Sequence, residues 1–294
     1  MPVFYTRHPA DSSLTTLATR LHANLIAAGW EHVYSNADAI GTGTASSPAW
    51  TKAAAASTSA GVSVYRMPLS GLTNRWYVRV EWAWGSAGGA QIYPKITTGT
   101  GWDAGGSVIT GAGTAFAAND GHANNTTETF VVTNENGLMV FLNTGAGTGW
   151  FLGLERRRSI GNTVIDDVVT YAYASTGRLG FTGNGPRNVV RNWALGEYAE
   201  QPLVVLSAVT GATVTTGVSP STLSSADGNV GYPCGFFSSS NGLGGILRLI
   251  QLWLNADNAA GAEQSVEIDG ASRLYFAAAR LLTPGGQSLL IAKA

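Results

Sequence analysis

Charge is scarce in this sequence. Only 12% of its 294 residues are Asp, Glu, Lys or Arg, about half the usual share of a globular protein. Lys and Arg number 17 against 18 Asp and Glu, a formal net charge of −1. No general electrostatic attraction would hold a polyanion or an acidic membrane surface, so nucleic acid is not an expected partner. Membrane insertion is not expected either, because no run reaches the roughly 20 apolar residues of a spanning helix. Cysteine is nearly missing. Cys234 stands alone, so no internal disulfide can form, and no Cys/His pair has the spacing of zinc ligands. Residues 1–8 lack a basic stretch followed by an apolar one, which predicts no secretory signal and a soluble chain made in the cytoplasm. Proline is sparse at 10 residues, whereas glycine is abundant at 38. Bulky apolar runs separate the glycines, which excludes a collagen-like chain or a simple disordered linker.

Aromatic strands are what the sequence does have. In the run from Arg75 to Gly85, Trp76, Val78, Val80, Trp82 and Trp84 fall on one side of a period-two pattern. Arg75, Tyr77, Arg79, Glu81 and Ala83 fall on the other. Successive strand residues point to opposite faces, so this is one apolar sheet face and one wettable face. One helix is expected over 12–28. Asp11, Ser12 and Ser13 offer capping side chains, Leu14, Leu17, Leu21 and Leu25 form a stripe, and Gly29 ends it. His22 and His32 flank that stripe and are expected on the helix surface. The clearest hairpin runs over 127–133 and 138–143, around Asn134-Glu135-Asn136-Gly137, where Asn-Gly tolerates the positive φ of a tight turn. Further strands are expected near 164–174, 188–194, 201–209, 246–254, 264–268, 272–280 and 287–292. Many short strands with Gly-rich turns and no fixed repeat predict a mainly β protein. An antiparallel β-sandwich or jelly-roll-like body with one N-terminal amphipathic helix and long ordered loops fits best. The expected division is an N-terminal arm with its helix over 1–60 and a β core over 61–294, subdivided near 195–230.

Candidate chemistry is thin. Gly145-Ala146-Gly147-Thr148-Gly149 is followed by another strand, so it reads as a turn and not as a phosphate-cradling loop. No Gly-x-Ser-x-Gly elbow is present. A glycosidase needs two carboxylates flanking a sugar bond, and Asp166 and Asp167, being adjacent, would face opposite sides of a strand. Asp103, Asp120, Glu128 and Glu135 scatter over loops and strand ends. Residues 255–263 lack the alternating acids of a calcium loop. Arg156, Arg157 and Arg158 form the basic run, expected at a solvated or interface edge. No catalytic residue, metal site or cofactor is expected. Trp50, Trp102 and Trp193 are the candidate glycan contacts, since an apolar sugar face packs on an indole; core or subunit packing is the competing role for them.

Several segments resemble uncharacterised virion structural proteins of tailed bacteriophages. They are the leucine helix running into Trp30-Glu31-His32-Val33-Tyr34, and Trp76-Tyr77-Val78-Arg79-Val80 running into Ile92-Tyr93-Pro94-Lys95-Ile96. Phe151-Leu152-Gly153-Leu154-Glu155-Arg156 and Asp269-Gly270-Ala271-Ser272-Arg273-Leu274-Tyr275-Phe276-Ala277 carry it further. The likeness is one of style and segment order. It implies a non-enzymatic virion component, in the tail or baseplate more than the capsid, whose partners are copies of itself and other virion proteins. Low charge, rigid aromatic surfaces and arms at 1–10, 35–60 and 211–229 suit such assembly. The alternatives are a capsid decoration protein and a carbohydrate- or receptor-binding module that contacts host-surface glycan. A polysaccharide-degrading tail enzyme using an acid pair is a further rival.

Overall fold

The computed structural model describes residues 3–8, 14–35, 59–84, 92–112, 116–117, 128–143, 149–159 and 163–174, and from there on a series of strands. The elements run β1 (Phe4–His8), α1 (Leu14–Ala27), β2 (Glu31–Ser35), β3 (Ser59–Arg66), β4 (Tyr77–Trp84) and β5 (Ile92–Gly99). Then follow β6 (Gly101–Asp103), β7 (Val108–Thr110), β8 (Phe116–Ala117), β9 (Glu128–Asn134), β10 (Gly137–Asn143), β11 (Gly149–Arg158) and β12 (Val164–Ala174). The later strands are β13 (Arg187–Asn192), β14 (Glu197–Leu206), β15 (Thr213–Thr215) and β16 (Gly231–Ser238). The last are β17 (Gly242–Trp253), β18 (Glu263–Ile268), β19 (Ala271–Leu282) and β20 (Gln287–Ala292). The described protein is mainly β, with antiparallel sheets and one helix. Among the described residues, no helix is long and apolar enough to cross a membrane.

The largest sheet has 13 strands, ordered β1-β9-β10-β11-β12-β13-β14-β16-β17-β20-β19-β18, with β15 paired to β14. From β9 to β14 each strand lies beside its neighbour in sequence, as short Gly-rich turns favour. Arg158 of β11 also pairs with Ile246 of β17, so the sheet curls back on itself. A second sheet is ordered β2-β3-β4-β5-β8, and β6 and β7 form a separate two-stranded ribbon.

Alternation explains the core. Trp76, Val78 and Val80 are buried with Ile96, whereas Tyr77, Arg79 and Glu81 are half-buried on the other face. The side chains of Trp82 and Trp84 lie outside the described residues. Leu21 and Leu25 carry the helix stripe into the core. Gly29 (φ 85°) ends α1, and Trp30 N–H returns to the Leu25 carbonyl at 2.9 Å. That reversal drops the Trp30 indole into the interior, where Nε1 donates to the Asn134 carbonyl at 2.8 Å.

Three expectations are corrected. His22 and His32 are not helix-surface groups: His22 is buried, and His32 belongs to β2, with its ring against that of His22. The arginine run is not wholly a solvated edge, because Arg156 is fully buried. The 135–136 turn does not use positive φ, which among described non-glycine residues occurs at Ser70 and Ser107. Instead Asn134 Oδ1 accepts from the Asn136 N–H at 2.8 Å, and the Asn136 carbonyl accepts from Arg156 N at 2.7 Å. Gly137 is needed for close approach, since a Cβ there would sit 2.6 Å from the Leu154 carbonyl. Residues 4–8, within the expected arm 1–10, form an edge strand on the chain's own sheet. Most of the expected loop 35–60 and arm 211–229 lies outside the described residues.

Candidate functional site

Pairing register decides which side chains share a face. Tyr34 pairs with Val64, Val64 with Arg79, Val62 with Glu81, and Glu81 with Lys95. Directly paired residues of an antiparallel sheet project to the same side, so these groups build the outer face of the second sheet. The β6–β7 ribbon lies on it. Ile109 is buried with Val62 and Val64, and Tyr34, Tyr77 and Trp102 pack around them. The ribbon sits close because β5 ends in glycine: a Cβ on Gly99 would come 2.6 Å from the Thr110 carbonyl.

Trp102 is therefore half-buried, its ring centroid 5.2 Å from that of Tyr34 at an interplanar angle of 38°. At the ribbon tip Asp103 Oδ1 accepts from the Gly105 N–H at 2.9 Å, and Val108 is 54% exposed. The same face carries a small ion cluster, with Glu81 3.1 Å from Arg79 and 3.9 Å from Lys95. An indole and a phenol presented beside donors and acceptors form a surface with an apolar body and a polar rim. Trp50 and Trp193, the other candidate glycan contacts, lie outside the described residues.

The carboxylates tell a different story. Asp166 and Asp167 diverge, as adjacent strand residues must. Asp166 Oδ2 accepts from Thr73 N (3.0 Å), Thr73 Oγ1 (2.8 Å) and Asn74 N (2.9 Å) in the loop between β3 and β4. Burial opposes its charge, but those bonds and the Arg156 guanidinium outweigh it and hold the carboxyl below its usual range. Asp167 is buried and meets Arg157 at 3.1 Å. The two do not make a facing pair. Asp103 is exposed at the ribbon tip, Asp120 and the side chain of Glu128 lie outside the described residues, and Glu135 sits in the β9–β10 turn.

Sequence reasoning missed Glu155 and Arg156 as interior groups. Arg156 Nη1 donates to the Pro68 carbonyl at 2.6 Å, and Nη2 reaches the Asn74 carbonyl at 3.4 Å. Glu155 accepts from the backbone N–H of Arg248 (2.6 Å) and of Leu249 (3.1 Å) on β17. Burial pushes its carboxyl up to about 7, against the pull of those N–H groups and of Arg158 and Arg248. One signal was present. Leu152, Leu154 and Arg156 share a face of β11, and both leucines are core residues by type. Among the described residues no three His, Cys, Asp or Glu side chains come together to hold a metal ion.

No protein-family model matches the chain, and no curated protein matches it significantly.

Proposed function

We propose that this chain is a non-enzymatic structural component of a tailed-phage virion, in the tail or baseplate, assembling with copies of itself and other virion proteins. Its body is a sandwich or jelly-roll-like packing of the large sheet against the second one. The observation that carries this reading is how the chain uses its charged side chains. Arg156, Asp166 and Glu155 are committed to backbone groups of neighbouring segments, so they act as struts that tie sheet to loop and strand to strand. A wide antiparallel sheet braced in this way, on a chain with 12% charged residues, suits a rigid subunit that buries surface against neighbours.

Light scattering across a concentration series tests it. A defined trimer, hexamer or larger ring is the expected result. A stable monomer at every concentration would overturn self-assembly and favour the second reading, a glycan-binding module of the particle. That alternative is favoured by the half-buried Trp102–Tyr34 pair, and quenching of tryptophan fluorescence by host polysaccharide, lost on Trp102→Ala, would mark it.

A further inference from the structure

The inner face of the second sheet holds a polar chain, buried at His22, Tyr65 and Ser63 and half-buried at Ser35 and His32, that the assembly reading does not use. His22 of α1 places Nδ1 3.0 Å from the Tyr65 hydroxyl of β3. The Ser63 hydroxyl hydrogen-bonds the same phenol and lies 2.8 Å from Ser35 Oγ. Ser35 Oγ lies in turn 2.8 Å from His32 Nε2 on β2. Two imidazoles are thus the ends of a run through three hydroxyls, and their rings meet edge to face with centroids 5.0 Å apart. Each ring also packs against that of Tyr65, at 5.8 Å for His22 and 5.3 Å for His32.

A single direction of donation gives every hydroxyl of the run both a donor and an acceptor: His32 Nε2–H to Ser35, Ser35 to Ser63, Ser63 to Tyr65, and Tyr65 to His22 Nδ1. The reverse direction works equally well. Either one requires that the nitrogen at one end carry no proton. Charging both rings makes both ends donors, and one hydroxyl of the run then loses its acceptor within it. It also sets two cations side by side in a poorly solvated place. Tyr65 cannot relieve this, because burial drives its phenol pKa further above the ordinary value and keeps it neutral.

We propose that this chain of hydroxyls and imidazoles is an acid-sensitive latch, which fastens helix α1 to the second sheet in neutral medium and releases it when both rings are charged. The two rings come from the two bodies being joined, α1 and β2, so the break falls on the seam between them. Neighbours on this face include Tyr65, Ser63 and Ser35, with Val78 and Val80 opposite on β4 and Thr98 and Ile96 beyond them on β5. Glu31 and Arg66, one residue along, pair with each other on the other face. On α1, Arg20 points away to the Arg7 carbonyl. Burial and the neighbouring His22 pull the His32 imidazole down to about 4, offset in part by the Tyr34 backbone. Release therefore belongs to distinctly acid medium.

Hydrogen exchange on the intact chain, followed by mass spectrometry and corrected for intrinsic rates, tests the latch. Between about pH 7 and about pH 4, peptides covering 14–29 should lose protection at least about tenfold, while those covering 128–143 keep theirs. The double variant His22→Gln, His32→Gln keeps hydrogen-bonding groups but cannot be charged, so its helix should stay protected throughout. Unchanged protection of the native helix down to about pH 4, or the same loss in the double variant, overturns the proposal. Should the variant not fold, an NMR titration of the native imidazoles decides. A depressed His32 midpoint, coupled to the charging of His22 and tracking helix release, supports the latch, and independent titration at ordinary values with the helix in place sinks it.

Discussion

A guanidinium taken out of water costs several kcal/mol unless acceptors and opposite charge meet it. Arg156 is met by the Pro68 and Asn74 carbonyls and by the charge of Asp166. Asp166 in turn caps the N–H groups of Thr73 and Asn74. One loop is therefore gripped through its carbonyls and its amides by two residues on adjacent strands. Arg156→Ala should lower the unfolding free energy by about 3–5 kcal/mol, because the carbonyls and the charge of Asp166 are left without their partner. Arg66→Ala, which breaks the more exposed pair with Glu31, should cost no more than about 1 kcal/mol. Urea unfolding of both variants measures the contrast, and equal losses would show that Arg156 is not a strut. Three consecutive arginines read as surface in a sequence, since composition alone cannot say which face of β11 is covered. The burial of Arg156 depends on a loop contributed by residues some eighty positions earlier, and no local pattern contains that contact.

Elements whose cause is local were legible. The leucine spacing of α1 and its Gly29 cap, the apolar face of β4, the β9–β10 hairpin and the extent of β12 all follow from periodicity and turn chemistry within one segment. The short strands β1, β6, β7 and β8 were not visible: β1 forms against the distant β9 and β8 against β5, while β6 and β7 pair only with each other over three residues apiece, too short a run for an alternation to show. The candidate site suffers the same blindness. Trp102 could be named as a tryptophan, but its pairing with Tyr34 requires β6 to fold over the sheet face. The hairpin was right in place and wrong in reason. Gly137 is demanded by the proximity of Leu154 and Leu249 and not by backbone sign. Gly137→Ala should therefore destabilise the protein by about 1–3 kcal/mol through overpacking. Leu249→Ala in the same chain would relieve only part of that strain, because the Leu154 carbonyl cannot retreat without breaking the β10–β11 ladder. A double-mutant cycle by thermal unfolding measures it, and full rescue by Leu249→Ala would place the conflict in side chains alone.

Over the described molecule, a buried carboxyl and a half-buried imidazole act on stability with opposite sign. The carboxyl of Glu155 is raised from 4.5 to about 7, so the folded chain holds a proton that the unfolded chain releases. Its contribution is fully present below the unfolded value and is lost as pH rises toward about 7. The imidazole of His32 is lowered from 6.5 to about 4, so the unfolded chain takes up a proton that the folded chain refuses. Its contribution is present above 6.5 and is lost as pH falls through about 4. The windows overlap between 4.5 and 6.5, where one proton bound by the folded state offsets one bound by the unfolded state. The native chain should show little dependence of unfolding free energy on pH there, despite carrying two strongly shifted groups. Glu155→Gln removes one slope and should expose the other, so that stability falls as the medium is acidified through this window. His32→Gln should do the reverse and leave stability falling as pH rises. Chemical unfolding of the three proteins at several pH values within the window separates these outcomes. Parallel curves would mean that neither group titrates as its surroundings dictate, and would take away the electrostatic basis for acid release of the helix.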